Sequence, residues 1–199
     1  MKITTSIFIA SLAFFATSQA AVETGAEAPA FTLLDSTGAE RSLSDFNGKY
    51  VVLEWSRYDC PFVVKYYGGG AMQALQADLT AKDVVWLQVL SSAKGKSGYL
   101  TAAEALAVGK EQQIHSTATL LDTSGTVGRA YGARTTPHMF LINPEGIVIY
   151  QGAIDSIKSA KSEDIAKATN YVKAAYMSAI AGEPIEQSTT PPYGCGVKY

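Results

Sequence analysis

The segment Tyr50–Trp55, YVVLEW, constrains this chain more than any other, because it is a compact apolar run of strand length that leads through a short loop into Cys60–Pro61 and then FVVKYY. Proline favours the first turn of a helix, where its missing N–H costs nothing, so the segment reads as a buried strand passing directly into a helix. Further units of the same kind follow. VVWLQVL at 84–90 is a second strand. A Ser-, Lys- and Gly-rich loop then leads to a helix beginning near Thr101, whose TAAE is a capping box. ATLLD at 118–122 is a third strand, and SGTVGRAYG a short helix. Next, RTTPHMFLINPEGIVIYQG reads as two strands around an Asn-Pro-Glu-Gly turn, and a final helix is predicted over Ser162–Ala181. Before all of these, residues 29–49 read as a short hairpin and a helical turn closed by Asn47–Gly48.

Parallel units first and an antiparallel pair last predict an α/β domain, a central mixed sheet with helices on both faces. Gly68–Gly70 falls within the first helix, and three glycines cost about 2–3 kcal/mol in a helix interior, so a kink, bulge or break is expected there, a close approach to another backbone being the other reading. The tail from 183 to 199, GEPIEQSTTPPYGCGVKY from Gly182 onward, is rich in Pro, Gly and Thr; it is expected to lack regular structure and to carry Cys195 on a flexible arm.

The chain opens with Lys2, an apolar run from Ile7 to about Ala16, and Ser18-Gln19-Ala20, which together read as a signal peptide over residues 1–20 with Ala21 as the first mature residue. That run is too short to cross a bilayer, which takes about 20 residues. The expectation is therefore a periplasmic or secreted protein, soluble once processed, with one domain over 21–182. Loss of Lys2 moves the formal charge from -2 to -3, and no block of Lys and Arg is present to neutralise phosphates. Nucleic acid and the membrane surface are accordingly not expected as partners.

In an oxidising compartment the two cysteines, Cys60 and Cys195, are able to pair. Cys60 follows a strand and opens a helix, where the free N–H groups and dipole stabilise a thiolate; Arg57 would assist and Asp59 oppose. GAEAPAFTLLDSTGAERSLSDFNGKYVVLEW, the CPFVVK helix start, and the later LLDTSGTVGRAYGARTTPHMFLINPEGIVIYQG together resemble the thioredoxin-like fold. More narrowly they resemble its peroxiredoxin-like redoxins of the alkyl hydroperoxide reductase, thiol-specific antioxidant and TlpA type. The resemblance covers about residues 25–180.

It implies that Pro137, in TTPHMF, is the cis-proline facing the active thiol, with the Thr136 backbone bordering the site. It also implies a thiol-dependent oxidoreductase with no bound cofactor, acting on peroxide or a disulfide and reduced by an external thiol. Two departures matter. CPFV has Val63 where thioredoxins carry their second cysteine, and Leu53 and Arg57 stand where peroxiredoxins have the Pro and Thr of their peroxide pocket. Either Cys195 resolves an oxidised Cys60 or an outside thiol does. The other reading is a non-catalytic binding module with a structural Cys60–Cys195 disulfide, stabilising by about 4–5 kcal/mol in the chain-entropy picture.

Glu54 lies six residues before Cys60, the spacing at which thioredoxins place a buried proton-relaying acid; a strand-end carboxylate paired with a base is the plainer reading. Arg57 and Arg134 are candidates to flank the site, and Trp55 and Tyr58 to wall the pocket or fill the core. His115 and His138 with one nearby cysteine do not make a metal set. No phosphate loop, catalytic Ser-His-Asp set or nucleophile elbow is present.

Overall fold

A computed structural model describes residues 21–199; the expected signal peptide lies outside them. Its centre is a five-stranded sheet in the order β5-β4-β3-β7-β8. The strands are β3 (Val51–Trp55), β4 (Val85–Leu90), β5 (Ala118–Leu121), β7 (His138–Ile142) and β8 (Val148–Gly152). β3 runs parallel to β4 and antiparallel to β7, so the sheet is mixed as predicted. All five residues of β3 are buried, which is why YVVLEW is apolar on both faces rather than alternating, Glu54 excepted. A small hairpin of β1 (Thr32–Leu34) and β2 (Glu40–Ser42), with a 3-10 turn at Leu43–Phe46, precedes it.

Alternation along the strands divides the core in two. Val52, Trp86, Met139, Leu141 and Tyr150 face α1 (Pro61–Tyr67), α2 (Ala71–Thr80) and α5 (Tyr171–Ala181). Leu53, Trp55, Leu87, Val89 and Phe140 face α4 (Thr126–Tyr131) and the segment carrying Phe31. The three glycines do break the helix: α1 stops at Tyr67, and Gly70, at φ 77°, starts α2. Thr101 caps α3 (Ala102–Glu111), accepting from the Glu104 amide.

Two stretches differ from the sequence reading. The final helix is not continuous: a 3-10 segment occupies Ser162–Lys167 and α5 begins only at Tyr171. Asn170 ends the first piece by capping the second, its Oδ1 accepting from the Lys173 amide at 2.9 Å, while the Tyr171 amide donates to the Ile154 carbonyl. The tail is not a free arm either. It runs along β8, where the Gln151 amide donates to the Ser188 carbonyl and the Gln151 carbonyl accepts from the Thr190 amide, and further on it forms β9 (Cys195–Gly196) on β6 (Thr135–Thr136).

Close approach at Gly152 fastens the tail. Gly152 has φ 143°, and a Cβ there would lie 2.2 Å from the Thr190 hydroxyl and 2.3 Å from its carbonyl oxygen. Gly152→Ala should cost about 1–3 kcal/mol in urea unfolding and expose the tail to limited proteolysis under conditions that spare the parent protein. Unchanged stability and an equally resistant tail would show that this contact does not hold it.

Candidate active site

Pairing within the sheet decides where Cys60 lies. The last residue of β3, Trp55, pairs with His138, the first of β7. The loop leaving β3 and the loop entering β7 therefore emerge at the same end of the sheet. The first loop delivers Cys60 as the N-cap of α1, its carbonyl accepting from the Val63 and Val64 amides at 2.9 and 2.8 Å. The second delivers Thr136 and Pro137, joined by a cis peptide bond. Cys60 Sγ is 3.0 Å from the Thr136 carbonyl oxygen.

The tail supplies the third component. β9 pairs antiparallel with β6, Thr136 opposite Cys195, and the Val197 amide donates to the Arg134 carbonyl at 3.1 Å. Gly194 passes so close to the Thr136 carbonyl that a Cβ would come within 2.1 Å of its oxygen. This pairing brings Cys195 Sγ to 2.7 Å from Cys60 Sγ. Both cysteines are free, Cys195 part-buried and Cys60 fully buried beneath the tail.

The two thiols differ in acidity. Burial pushes Cys60 up, but the Cys195 thiol, Thr136 and the Val63 amide outweigh it, and the balance lies below the ordinary thiol value of 9.0. Burial, the hydrogen bond to Cys60 and the negative charge there push Cys195 up to about 11. Of the two, Cys60 is therefore the one that ionises first, and once it has done so Cys195 is its donor.

Among the other sequence candidates, only some reach this place. Arg57 is buried, its Nε 2.5 Å from Asp59 Oδ1, and its Nη1 donates to the Gly196 carbonyl at 3.5 Å; it thus touches the tail beside Cys195. Tyr58 donates to Gln88 Oε1 at 2.5 Å. Trp55 lies on the opposite face of the sheet, fully buried, its Nε1 on Ser91. Glu54 is fully buried under α1 and α2, accepting from Tyr67 and Trp86 at 2.9 Å and Gln76 at 3.3 Å; burial raises its carboxyl above the usual range despite these donors. Its hydrogen-bond partners do not include Cys60. Arg134 is exposed, and His138 is buried, its Nδ1 accepting from the Arg134 amide. Burial and then the Arg134 charge take the imidazole down to about 3, so it is neutral at physiological pH. Among the described residues no group of three or more His, Cys, Asp and Glu side chains converges on a metal position.

Four residues that the sequence reading passed over hold the site together. Lys65 and Asp155 form a 2.8 Å ion pair with both side chains fully buried, and the Tyr66 and Tyr193 hydroxyls donate to the same carboxylate. Tyr193 also stacks edge-on with Phe62 at 5.7 Å. The apolar surroundings of Lys65 in FVVKYY were a signal, since a lysine is fully buried almost only when paired.

The pattern of the AhpC/TSA family matches residues 24–151. No curated protein matches the chain. Among solved structures, a hypothetical protein from Sinorhizobium meliloti 1021 is 24% identical with a TM-score of 0.76, covering 90% of this chain and 96% of that one. An uncharacterized conserved protein from Geobacillus kaustophilus is 22% identical at 0.75, covering 89% and 92%. The thioredoxin domain of a thiol-disulfide oxidoreductase from Bacteroides vulgatus is 21% identical at 0.53, covering 74% and 98%. These likenesses establish the thioredoxin-like fold.

The acidity of the pair is open to measurement in the reduced protein. Cys195→Ala removes the donor to Cys60, so the thiolate absorbance of Cys60 at 240 nm should titrate at higher pH than in the parent; an unmoved midpoint would rule out Cys195 as the stabilising partner. The two groups also act oppositely on stability. The lowered Cys60 contributes stability that is present above the unfolded thiol value and is lost as pH falls through its folded one. The raised Cys195 contributes stability that is present below 9.0 and is lost as pH rises through about 11.

Proposed function

The chain belongs to the AhpC/TSA family, and on that premise we propose that it is an exported thiol oxidoreductase whose redox centre is the Cys60–Cys195 pair. The observation that carries the proposal is the second cysteine, absent from the CPFV motif, seated by β6–β9 pairing against the first at 2.7 Å. A disulfide bond is about 2.05 Å long, so a small displacement closes it.

With a disulfide, the Cys60 thiolate attacks one sulfur and expels a thiolate, leaving a mixed disulfide. The Cys195 sulfur then attacks Cys60, expels the second substrate thiolate and leaves the Cys60–Cys195 disulfide, so that two electrons have passed to the substrate. With a hydroperoxide, Cys60 attacks the O–O bond, gives a sulfenic acid and releases an alkoxide that takes up a proton. Cys195 then attacks that sulfur and water departs with the Cys195 proton. An external dithiol regenerates the pair and becomes a disulfide itself.

A disulfide suits the site better than a peroxide. Arg57 occupies the position of the peroxiredoxin threonine, offers no hydroxyl and is bound to Asp59, and Leu53 is core. Thr136 and Pro137 shape the substrate edge, and Arg57 and Tyr58 border it. The export part of the proposal rests on Lys2, the apolar run and Ser18-Gln19-Ala20; an N-terminus at Ala21 on protein recovered from the producing cell's exterior fractions checks it. Complete burial of Cys60 favours one rival, the binding module with a permanently oxidised pair.

Fully reduced protein, treated separately with one equivalent of oxidised glutathione and of hydrogen peroxide, should lose two hydrogens by intact mass and yield a Cys60–Cys195 peptide, faster with the disulfide. Cys195→Ser should stall with glutathione attached at Cys60, and Cys60→Ser should not react. A native pair that stays oxidised in millimolar dithiothreitol, or reduced thiols inert to both oxidants, would move the assignment to the binding module.

A further inference from the structure

We propose that Tyr199 is a positioning residue for Cys195, a latch that holds residues 194–199 over Cys60 and so sets both access to Cys60 and the speed of its resolution. The inference rests on the redox reading above, and it arises from how closely the molecule is shaped around this one ring. Tyr199 lies against the start of α4, where two glycines leave the space it fills. A Cβ on Gly128 would come 2.4 Å from the Tyr199 hydroxyl, and one on Gly125 would come 2.4 Å from the ring. The hydroxyl donates to the Ala133 carbonyl at 2.7 Å, and the Arg129 guanidinium sits 4.5 Å from the ring centroid. Shape, a directed hydrogen bond and a cation over the ring thus converge on one side chain four residues beyond Cys195.

Beside that seat, the segment between the two is held by backbone bonds along one edge: the short β6–β9 pairing, the Val197 amide to Arg134 and the Ala93 amide to the Lys198 carbonyl, with Arg57 reaching Gly196 at 3.5 Å. On the other side of Cys195 the chain is fixed: Tyr193 is buried against Asp155 and Phe62. Gly194, at φ 144°, lies between the fixed part and the cysteine. A short segment with a glycine at its root, a strand pairing of only two residues and one aromatic seat opens as a flap when the seat empties. Because Cys60 is fully buried with the flap down, an outside disulfide reaches it only with the flap up, and resolution requires the flap to return.

Access is measured apart from turnover by alkylating Cys60 with iodoacetamide in a Cys195→Ser background, at a pH where Cys60 is ionised. Tyr199→Ala should raise the rate about tenfold, equivalent to about 1.4 kcal/mol of lost closure, while Tyr199→Phe, which keeps the ring on Arg129, should raise it much less. Gly128→Val, which fills the seat from the other side, should act like Tyr199→Ala. With Cys195 restored, Tyr199→Ala should accumulate the mixed disulfide with glutathione that the parent resolves. Parental alkylation rates in both Tyr199→Ala and Gly128→Val, with normal resolution, would overturn the latch. The two readings fail separately. Faster alkylation in a protein whose cysteines never cycle leaves the latch standing and removes the redox function, whereas parental alkylation in a protein that cycles does the reverse.

Discussion

The double pairing of β3 is the constraint on which the rest depends. Hydrogen-bonded to β4 on one edge and to β7 on the other, it has no free side on which to slip, and a shift of one residue would turn every side chain to the wrong core. Its register sets Trp55 opposite His138, and from that single alignment the Cys60 loop and the Thr136–Pro137 loop face one another. The tail strand then has an edge to join, and Cys195 arrives where the β6–β9 register puts it. The meeting of two sulfurs 135 residues apart thus rests on one central strand.

Two buried polar clusters lie on the same face of the sheet and serve different ends. Around Glu54 the donors Tyr67, Trp86 and Gln76 satisfy a carboxyl that has lost water, since an unpaired buried acceptor would cost about 1–3 kcal/mol or more. Around Asp155 the charge is matched by Lys65, and the remaining lone pairs take Tyr66, Tyr193 and the Ile157 amide. A buried pair of this kind adds little net stability over an apolar substitute but is costly to break, by about 3–5 kcal/mol. What it contributes here is position. It joins α1, the loop after β8 and the tail through one carboxylate, two residues before Cys195.

The cysteine pair gains its asymmetry from that packing. Cys60 is the more deeply buried, which by itself would make it the weaker acid; directed donors reverse the order, and one of them is the other cysteine. Positional asymmetry matches the chemical one, because the sulfur that ionises first sits at a helix start and the weaker acid sits on the segment closed by Tyr199.

Much of this was legible in the sequence because it depends on local order. The apolar run of β3, the glycines at Gly68–Gly70, the Thr101 capping box, and the motifs around Cys60 and Pro137 each act over a few residues, so the mixed sheet and the place of Cys60 at a helix start follow from their succession. The break at Asn170 was hidden because Asn and Thr are tolerated in a helix until a backbone elsewhere, here Ile154–Ser156, competes for their groups. The docking of the tail was hidden for the same reason at longer range. Nothing in PPYGCGVKY specifies Asp155, Thr136 or the notch beside Gly128, and a Pro- and Gly-rich segment has no period to betray a seat. Sequence alone determined the order of elements and which sulfur opens a helix. Only the tertiary structure decided which groups surround the two sulfurs and which of them is the stronger acid, since burial and donors belong to residues brought together across the whole chain.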